Sequence, residues 1–384
     1  MTELVSALSR RPASHPRRIR VMIVDDAVVV RGLLSRWLTE AGDIEIASTH
    51  RTGAEAVDAI DFVKPDVILL DIEMPDMDGI AALPLLLKKR PSTTVIVAST
   101  LTTRNADISL RCLDLGATDY IAKPSTNRDV TFSVDFRRDI IDKIRTLGQR
   151  TMLGHLPQRR GLADATGVER PVQALGPGES TIVLRPFIRI VPRVLVIGAS
   201  TGGPNAVTAL LKLCRPAIER VPVIIAQHMP TMFTAMFADH LGRQLGLPSQ
   251  EAKDGALIEP GRIYVAPGGK HLCARREASA AHIVIDDAPA ENFCKPSVDI
   301  TMSSFSTVYG SGALAIMLTG MGSDGLRGAS EIVENGGNLL AQDEASSVVW
   351  GMPGVVAKRG LCAAVGPIET LARIVNLSTG AVQP

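Results

Sequence analysis

Short, nearly unbroken apolar runs alternate with helical stretches twice along this chain, and a segment with neither pattern separates the two blocks. In the first block IRVMIV (19–24), IEIAS (44–48), DVILL (66–70), TVIVA (94–98) and TDYIA (118–122) read as strands. Helical patterns fall between them, as at 28–41, 53–63 and 104–115. Strands apolar on both faces belong to parallel sheets covered on both sides, so five βα units predict a small doubly wound sheet. A further helix near 79–89 contains Pro84, expected in its first turns or at a kink.

Residues 149–192 are rich in Gly, Pro and Arg and read as a linker, whose last part, TIVLRPFIRIVP, is expected to dock against a neighbouring surface. The alternation then resumes with VLVIGAS (194–200), VPVIIAQH (221–228), IYVAP (263–267), ALAIMLTG (313–320) and NLLAQD (338–343). Between 271 and 287, HLCAR and AHIVIDD flank a small polar stretch and predict an antiparallel hairpin. With 384 residues, too many for one ordinary core, the chain divides into two α/β domains. The expected division is a disordered extension at 1–18, a flavodoxin-like (βα)5 domain at 19–147, a linker at 148–192, a doubly wound, mostly parallel α/β hydrolase domain at 193–376 and a tail at 377–384.

Composition narrows the function. A net charge of +1 lacks the basic excess of a nucleic-acid binder, so no nucleic-acid partner is expected. Apolar runs stay well short of a membrane span, and the first eighteen residues lack the apolar core of a signal peptide. Five scattered cysteines (112, 214, 273, 294, 362) form no C-x-x-C pair, which disfavours a disulfide framework or a zinc site. A cytoplasmic monomer is the expectation.

In the first block, acidic residues stand at strand ends. Asp25 and Asp26 follow the first strand and Asp71 ends the third. Carboxyl ends of strands line the ligand crevice of an open α/β sheet. Three carboxylates gathered there repel one another unless a cation neutralises them, and hard oxygen donors suit Mg²⁺. With charge so stabilised, Asp71 can attack phosphorus and become an aspartyl phosphate. Lys123 follows the fifth strand and can pair with the phosphoryl group. Ser99 at the end of the fourth strand, or Thr100 beside it, can hydrogen-bond a phosphoryl oxygen, with Tyr120 as a movable aromatic coupled to that hydroxyl.

VDDAVVVR, LLDIEMPDMDG and IAKPS occur in this order, each at a strand end, and over about 19–140 the chain resembles the response-regulator receiver family. The resemblance implies that Asp71 accepts phosphate from a histidine kinase. It also implies that Asp25, Asp26 and the backbone carbonyl of Glu73 join Asp71 in holding Mg²⁺, and that the Lys123–Pro124 bond is cis. Ala27 departs from the Ser that relatives often carry.

In the second block, GASTGGP (198–204) ends a strand and opens a helix. A phosphate-cradling loop is one reading, but the glycines give G-x-x-x-G-G rather than G-x-G-x-x-G. The other makes Ser200 a nucleophile at a strand-to-helix turn. His228 ends the next strand and can serve as its base; Asp324 follows another strand and can orient the base, with Asp343 as the rival carboxylate. His240 lies in a helical stretch, and His271 and His282 belong to the hairpin.

GASTGGP, AQHMP, YVAPGGKH, KPSVD, LTGMGSDG and QDEASSVVWGMP run in sequence from 198 to 353, and over about 194–375 the chain resembles the catalytic domain of protein-glutamate methylesterases, the CheB family of bacterial chemotaxis. The resemblance implies a triad of Ser200, His228 and Asp324, with Thr201 and Met321 near the reacting centre. The implied substrates are glutamate γ-methyl esters, and glutamines for deamidation, on chemoreceptor cytoplasmic helices, with no cofactor for the hydrolysis. Backbone N–H groups near Thr201 or Met321 would form the oxyanion hole, and the receiver would cover the Ser200 cleft until phosphorylated. Cys294 and Lys295 stand where relatives often carry a basic residue or His, which bears on substrate preference.

Overall fold

The computed structural model describes residues 17–100, 102–123, 134–152 and 182–381. The expected extension at 1–18, apart from its last two residues, lies outside them, as do Pro124 and most of the linker.

The first domain runs β1 (Ile19–Val24), α1 (Val28–Glu40), β2 (Ile44–His50), α2 (Gly53–Val63), β3 (Val67–Asp71), α3 (Gly79–Lys89), β4 (Thr94–Thr100), α4 (Thr103–Asp114), β5 (Asp119–Lys123) and α5 (Val134–Met152). Its five strands are parallel in the order β2-β1-β3-β4-β5, with β3 buried along its whole length. Thr52, Asp78 and Thr102 start α2, α3 and α4 by accepting a hydrogen bond from the N–H three residues on. Pro84 is the sixth residue of α3, deeper than its first turn, on the exposed side. Helix α5 continues to Met152, past the boundary expected at 147.

The second domain runs β6 (Val194–Ala199), α6 (Gly203–Leu213), α7 (Arg215–Ile218), β7 (Val223–Gln227), α8 (Thr231–Leu245), β8 (Ser249–Glu251), β9 (Ile263–Val265), β10 (His271–Glu277), β11 (Ala280–Asp286), α9 (Val298–Tyr309), β12 (Ala313–Met317), α10 (Leu326–Glu334), β13 (Asn338–Gln342), α11 (Met352–Lys358), β14 (Ala364–Gly366) and α12 (Ile368–Ser378). A seven-stranded parallel sheet has the order β14-β13-β12-β6-β7-β9-β8, and β10 and β11 pair antiparallel as a separate hairpin. Strands β8 and β14 were not foreseen; at three residues each they are too short to carry a pattern. The expected tail begins inside α12, whose last residues are Leu377 and Ser378.

Chain order reverses at β6, which lies between β12 and β7, so the crevice of the doubly wound sheet opens at the carboxyl ends of these three strands. The stretch from Ile182 onward docks on this domain. Arg185 donates to the Cys362 carbonyl, and Ile188 exchanges two hydrogen bonds with the Asn338 side chain.

The two domains are packed together. One apolar cluster holds Leu110, Leu113 and Tyr120 of the first with Phe233, Phe237 and Leu241 of the second. Another joins Phe136, Ile140, Ile144 and Leu147 of α5 to Val349, with Met321 and Val348 at its margin. Arg243–Asp107 at 2.7 Å, His240–Asp114 at 3.5 Å and a hydrogen bond from Arg150 to the Glu344 carbonyl at 3.1 Å edge the seam. His240 is buried and meets Asp114 at this seam.

Candidate active site and phospho-acceptor site

The sheet's switch point gathers the residues of the expected serine site. Ser200 leaves β6 with its N–H on the Thr319 carbonyl (3.0 Å) and its carbonyl accepting from Gly203 N–H (2.8 Å). Gln227, the last residue of β7, also donates to the Ser200 carbonyl at 2.9 Å. A Cβ at position 203 would collide with the Gln227 amide oxygen, so only glycine lets α6 start this close to β7. His228 follows directly and donates its backbone N–H to the Ala199 carbonyl (3.1 Å), which sets it beside Ser200.

His228 Nε2 lies 2.7 Å from Asp324 Oδ2. Asp324, in the loop after β12, sets its carboxylate at the N-terminus of α9 and accepts from Ser297 Oγ (2.8 Å), Val298 N–H (2.7 Å) and Asp299 N–H (3.1 Å). Burial raises the Asp324 pKa, but the hydrogen bond and charge of His228 and these two N–H donors hold it below the ordinary carboxylate value. Burial likewise lowers the His228 pKa, and the hydrogen bonds to Asp324 and Cys294 overcome it, lifting the imidazole to about 9. The rival carboxylate, Asp343, is turned into its own loop, where it accepts from Ser346 N–H at 2.9 Å.

With Nε2–H committed to Asp324, Nδ1 is the ring nitrogen left for a proton from Ser200, the reverse of the commoner assignment in serine triads. Among the described residues the Ser200 hydroxyl makes no hydrogen bond, and Cys294 Sγ lies 3.9 Å from Nδ1. The backbone N–H groups of Thr201 and Met321 meet no acceptor among the described residues. Thr201 is buried, and the Met321 sulfur accepts from Thr146 Oγ1 of α5 at 3.4 Å. Gln227 and Ser297 had no distinguishing sequence signal; their roles depend on which strand ends meet. His271 is buried in the hairpin and accepts from Ser297 N–H at 3.2 Å.

In the first domain, one ligand oxygen each from Asp25, Asp26 and Asp71 lies within 4.8 Å of the others, a hard-donor set suited to a divalent cation. Lys123 Nζ is 2.7 Å from Asp71 Oδ1 and 3.2 Å from Asp25 Oδ2. Burial pushes the Asp71 pKa up to about 6, Lys123 pulling it down and Asp25 adding to the rise. Ser99 is buried with its hydroxyl on the Asn105 carbonyl, whereas Thr100 lies in register with Lys123 and accepts from Asn105 Nδ2 at 2.6 Å. Glu73 uses its carboxylate to accept from Asn105 Nδ2 at 3.2 Å. Tyr120 is buried against the second domain.

Family models match both blocks: response regulator receiver domain at 21–135 and CheB methylesterase at 195–375. A protein-glutamate methylesterase/protein-glutamine glutaminase of Nitrobacter hamburgensis is 50% identical over 99% of this chain and 99% of its own length. Proteins of the same description are similar in Rhodopseudomonas palustris (47% identical, 97% of this chain and 98% of the relative) and, from a group 2 operon, in Bradyrhizobium diazoefficiens (49%, 93% of each). Identity of this degree over both domains, with serine, imidazole and carboxylate gathered at the switch point, places the chain in the CheB family of protein-glutamate methylesterases/protein-glutamine glutaminases.

Proposed function

We propose that this chain hydrolyses glutamate γ-methyl esters, and deamidates glutamines, on the cytoplasmic helices of chemoreceptors, under control of a phosphoryl group on Asp71. The His228–Asp324 pair beside Ser200 carries this reading. Ser200 Oγ attacks the γ-carbonyl as His228 Nδ1 takes its proton, and Asp324 stabilises the imidazolium on the opposite nitrogen. The N–H groups of Thr201 and Met321 face the oxyanion; loss of one such donor costs about 10²–10³ in turnover. The imidazolium then protonates departing methanol, or ammonia from a glutamine, and a water deprotonated by His228 releases glutamate and Ser200.

In the receiver, Asp71 accepts phosphate from a histidine kinase. Asp25, Asp26, Asp71 and the Glu73 backbone carbonyl would hold Mg²⁺, which supplies charge neutralisation at the phosphoryl oxygens. Lys123 is already within reach of Asp71 and pairs with the phosphoryl group, while Ser99, or Thr100 beside it, receives one of its oxygens. Tyr120 connects this site to the seam. Helix α5 lies against Met321 and Val349 in the docked form, so release of the receiver opens the Ser200 cleft. No described helix is long and apolar enough to cross a membrane, and the proposed setting is a cytoplasmic monomer that meets membrane-bound receptors through their soluble parts.

Methanol release from methylated receptor membranes tests the reading, with the whole chain compared before and after a small-molecule phosphodonor. Ser200→Ala should abolish release and the phosphodonor should raise it. Release that persists in Ser200→Ala would remove Ser200 from the mechanism.

A further inference from the structure

The turn before α9 links the receiver to the base of the active site. Glu291 and Cys294 close it with two main-chain hydrogen bonds, Glu291 N–H to Cys294 carbonyl (3.2 Å) and Cys294 N–H to Glu291 carbonyl (2.8 Å). Arg327 anchors it through Glu291 at 2.7 Å. Asn292 and Phe293 have φ of 51° and 64°, a left-handed region that Asn tolerates and a bulky Phe does not without cost. Phe293 packs little against its own domain and is 87% exposed, but the guanidinium of Arg138, on α5 of the receiver, lies 5.2 Å from its ring centroid. The next side chain is Cys294, and its sulfur faces His228 Nδ1.

We propose that Cys294 is a positioning residue held against His228 by the docked receiver, with Arg138 on Phe293 as the hold. The proposal rests on the reading of His228 as the base and the receiver as the gate, and adds how docking acts on the chemistry. The Cys294 sulfur, which also lies 3.5 Å from the Asn292 carbonyl, stands where Nδ1 would have to meet the Ser200 hydroxyl. Asp324, from the loop after β12, and Cys294, from the turn before α9, each bring one atom within 4.8 Å of an imidazole nitrogen and of each other. Asp324 remains with His228 in any state of the receiver, because its other partners belong to the catalytic domain. Cys294 is the variable partner. Docking therefore does more than cover the cleft: it withholds the base. Release lets the Phe293 turn relax toward an unstrained backbone, and the sulfur leaves Nδ1.

Two measurements on the whole chain test this. The first is the rate at which iodoacetamide labels Cys294, read by mass spectrometry of its peptide, with and without phosphodonor. The second is the pH profile of methanol release. We expect phosphodonor treatment and Arg138→Ala each to speed labelling by about fivefold or more. Cys294→Ala should move the rising limb of the unphosphorylated enzyme toward lower pH, since the hydrogen bond between the sulfur and the imidazole is among the causes that raise His228. If the phosphodonor raises esterase activity while labelling of Cys294 stays constant, the hold is wrong and the gate stands. If the phosphodonor changes neither activity nor labelling, the gate fails and the hold with it. Should Cys294→Ala fold poorly, labelling of the unmodified chain decides alone.

Discussion

The ring of Tyr120, on the last strand of the receiver, lies flat on Phe233 at the start of α8, with centroids 4.7 Å apart and 9° between the planes. Tyr120 stands three residues before Lys123, whose ammonium reaches Asp71, so β5 carries both the lysine that pairs with Asp71 and an aromatic of the seam. An aromatic pair of this kind contributes about 0.5–1.5 kcal/mol beyond the area it buries. Tyr120→Leu keeps an apolar side chain but removes the stack. Methanol release without phosphodonor should then rise by roughly 2- to 10-fold as the docked population falls. An unchanged rate would show that the stack does not contribute to docking.

Asp324→Asn tests the carboxylate. It retains most of the hydrogen-bonding shape but removes the charge that stabilises the imidazolium, and turnover should fall by on the order of 10⁴. The same substitution at Asp343, whose carboxylate ties only its own loop, should cost far less. Equal losses would reopen the choice between them.

The pH dependence follows from His228, whose pKa is raised to about 9. An imidazolium cannot accept the Ser200 proton, so activity is low while His228 is charged and increases as pH rises toward 9. Unphosphorylated enzyme should show this rising limb in kcat/KM well above the ordinary histidine range. A plateau already reached at pH 7 would contradict it.

Asp71 has the opposite kind of problem. Its folded pKa of about 6 exceeds the ordinary 3.8, so the site favours the protonated carboxyl. Its contribution to stability is present below the lower value and lost as pH rises through about 6. In the absence of divalent cations, Asp71→Asn should therefore raise Tm at pH 7 by a few degrees and flatten the pH dependence between 4 and 7. It should also abolish stimulation by the phosphodonor. Chelation with EDTA should abolish stimulation of the unmodified chain as well.

Gly203→Ala addresses the scaffold rather than the reacting groups. The added methyl meets the Gln227 amide oxygen, and Gln227 shares the Ser200 carbonyl with the Gly203 N–H itself. A shift of Ser200 on the scale of 1 Å is enough for a loss of about 10² in turnover. Binding of the substrate protein should change less than kcat.

The sheet cores were legible because buried parallel strands are written as near-continuous apolar runs, and the strand-end residues Asp71, Ser200 and His228 follow from them. Strand order was not written in any one run, so the sequence left Asp324 and Asp343 as competitors. The structure separates them by placing β12 beside β6 and β13 one strand farther out. Gln227 and Ser297 act through contacts made after folding, and their types alone carry no signal. The seam was hidden for another reason. Leu110, Leu113 and Phe233 have the same helical spacing whether they face their own domain or its neighbour.

The apolar seam between α4, β5 and α8 gives the resting state a temperature coefficient. Surfaces of this kind are held together by expelled water, and that force weakens on cooling. The receiver should thus ride more loosely on its partner in the cold, and silencing without phosphate should be leakiest there. Each activation event wets two greasy faces, so the energetic load on the phosphoryl group is set as much by the thermometer as by the kinase.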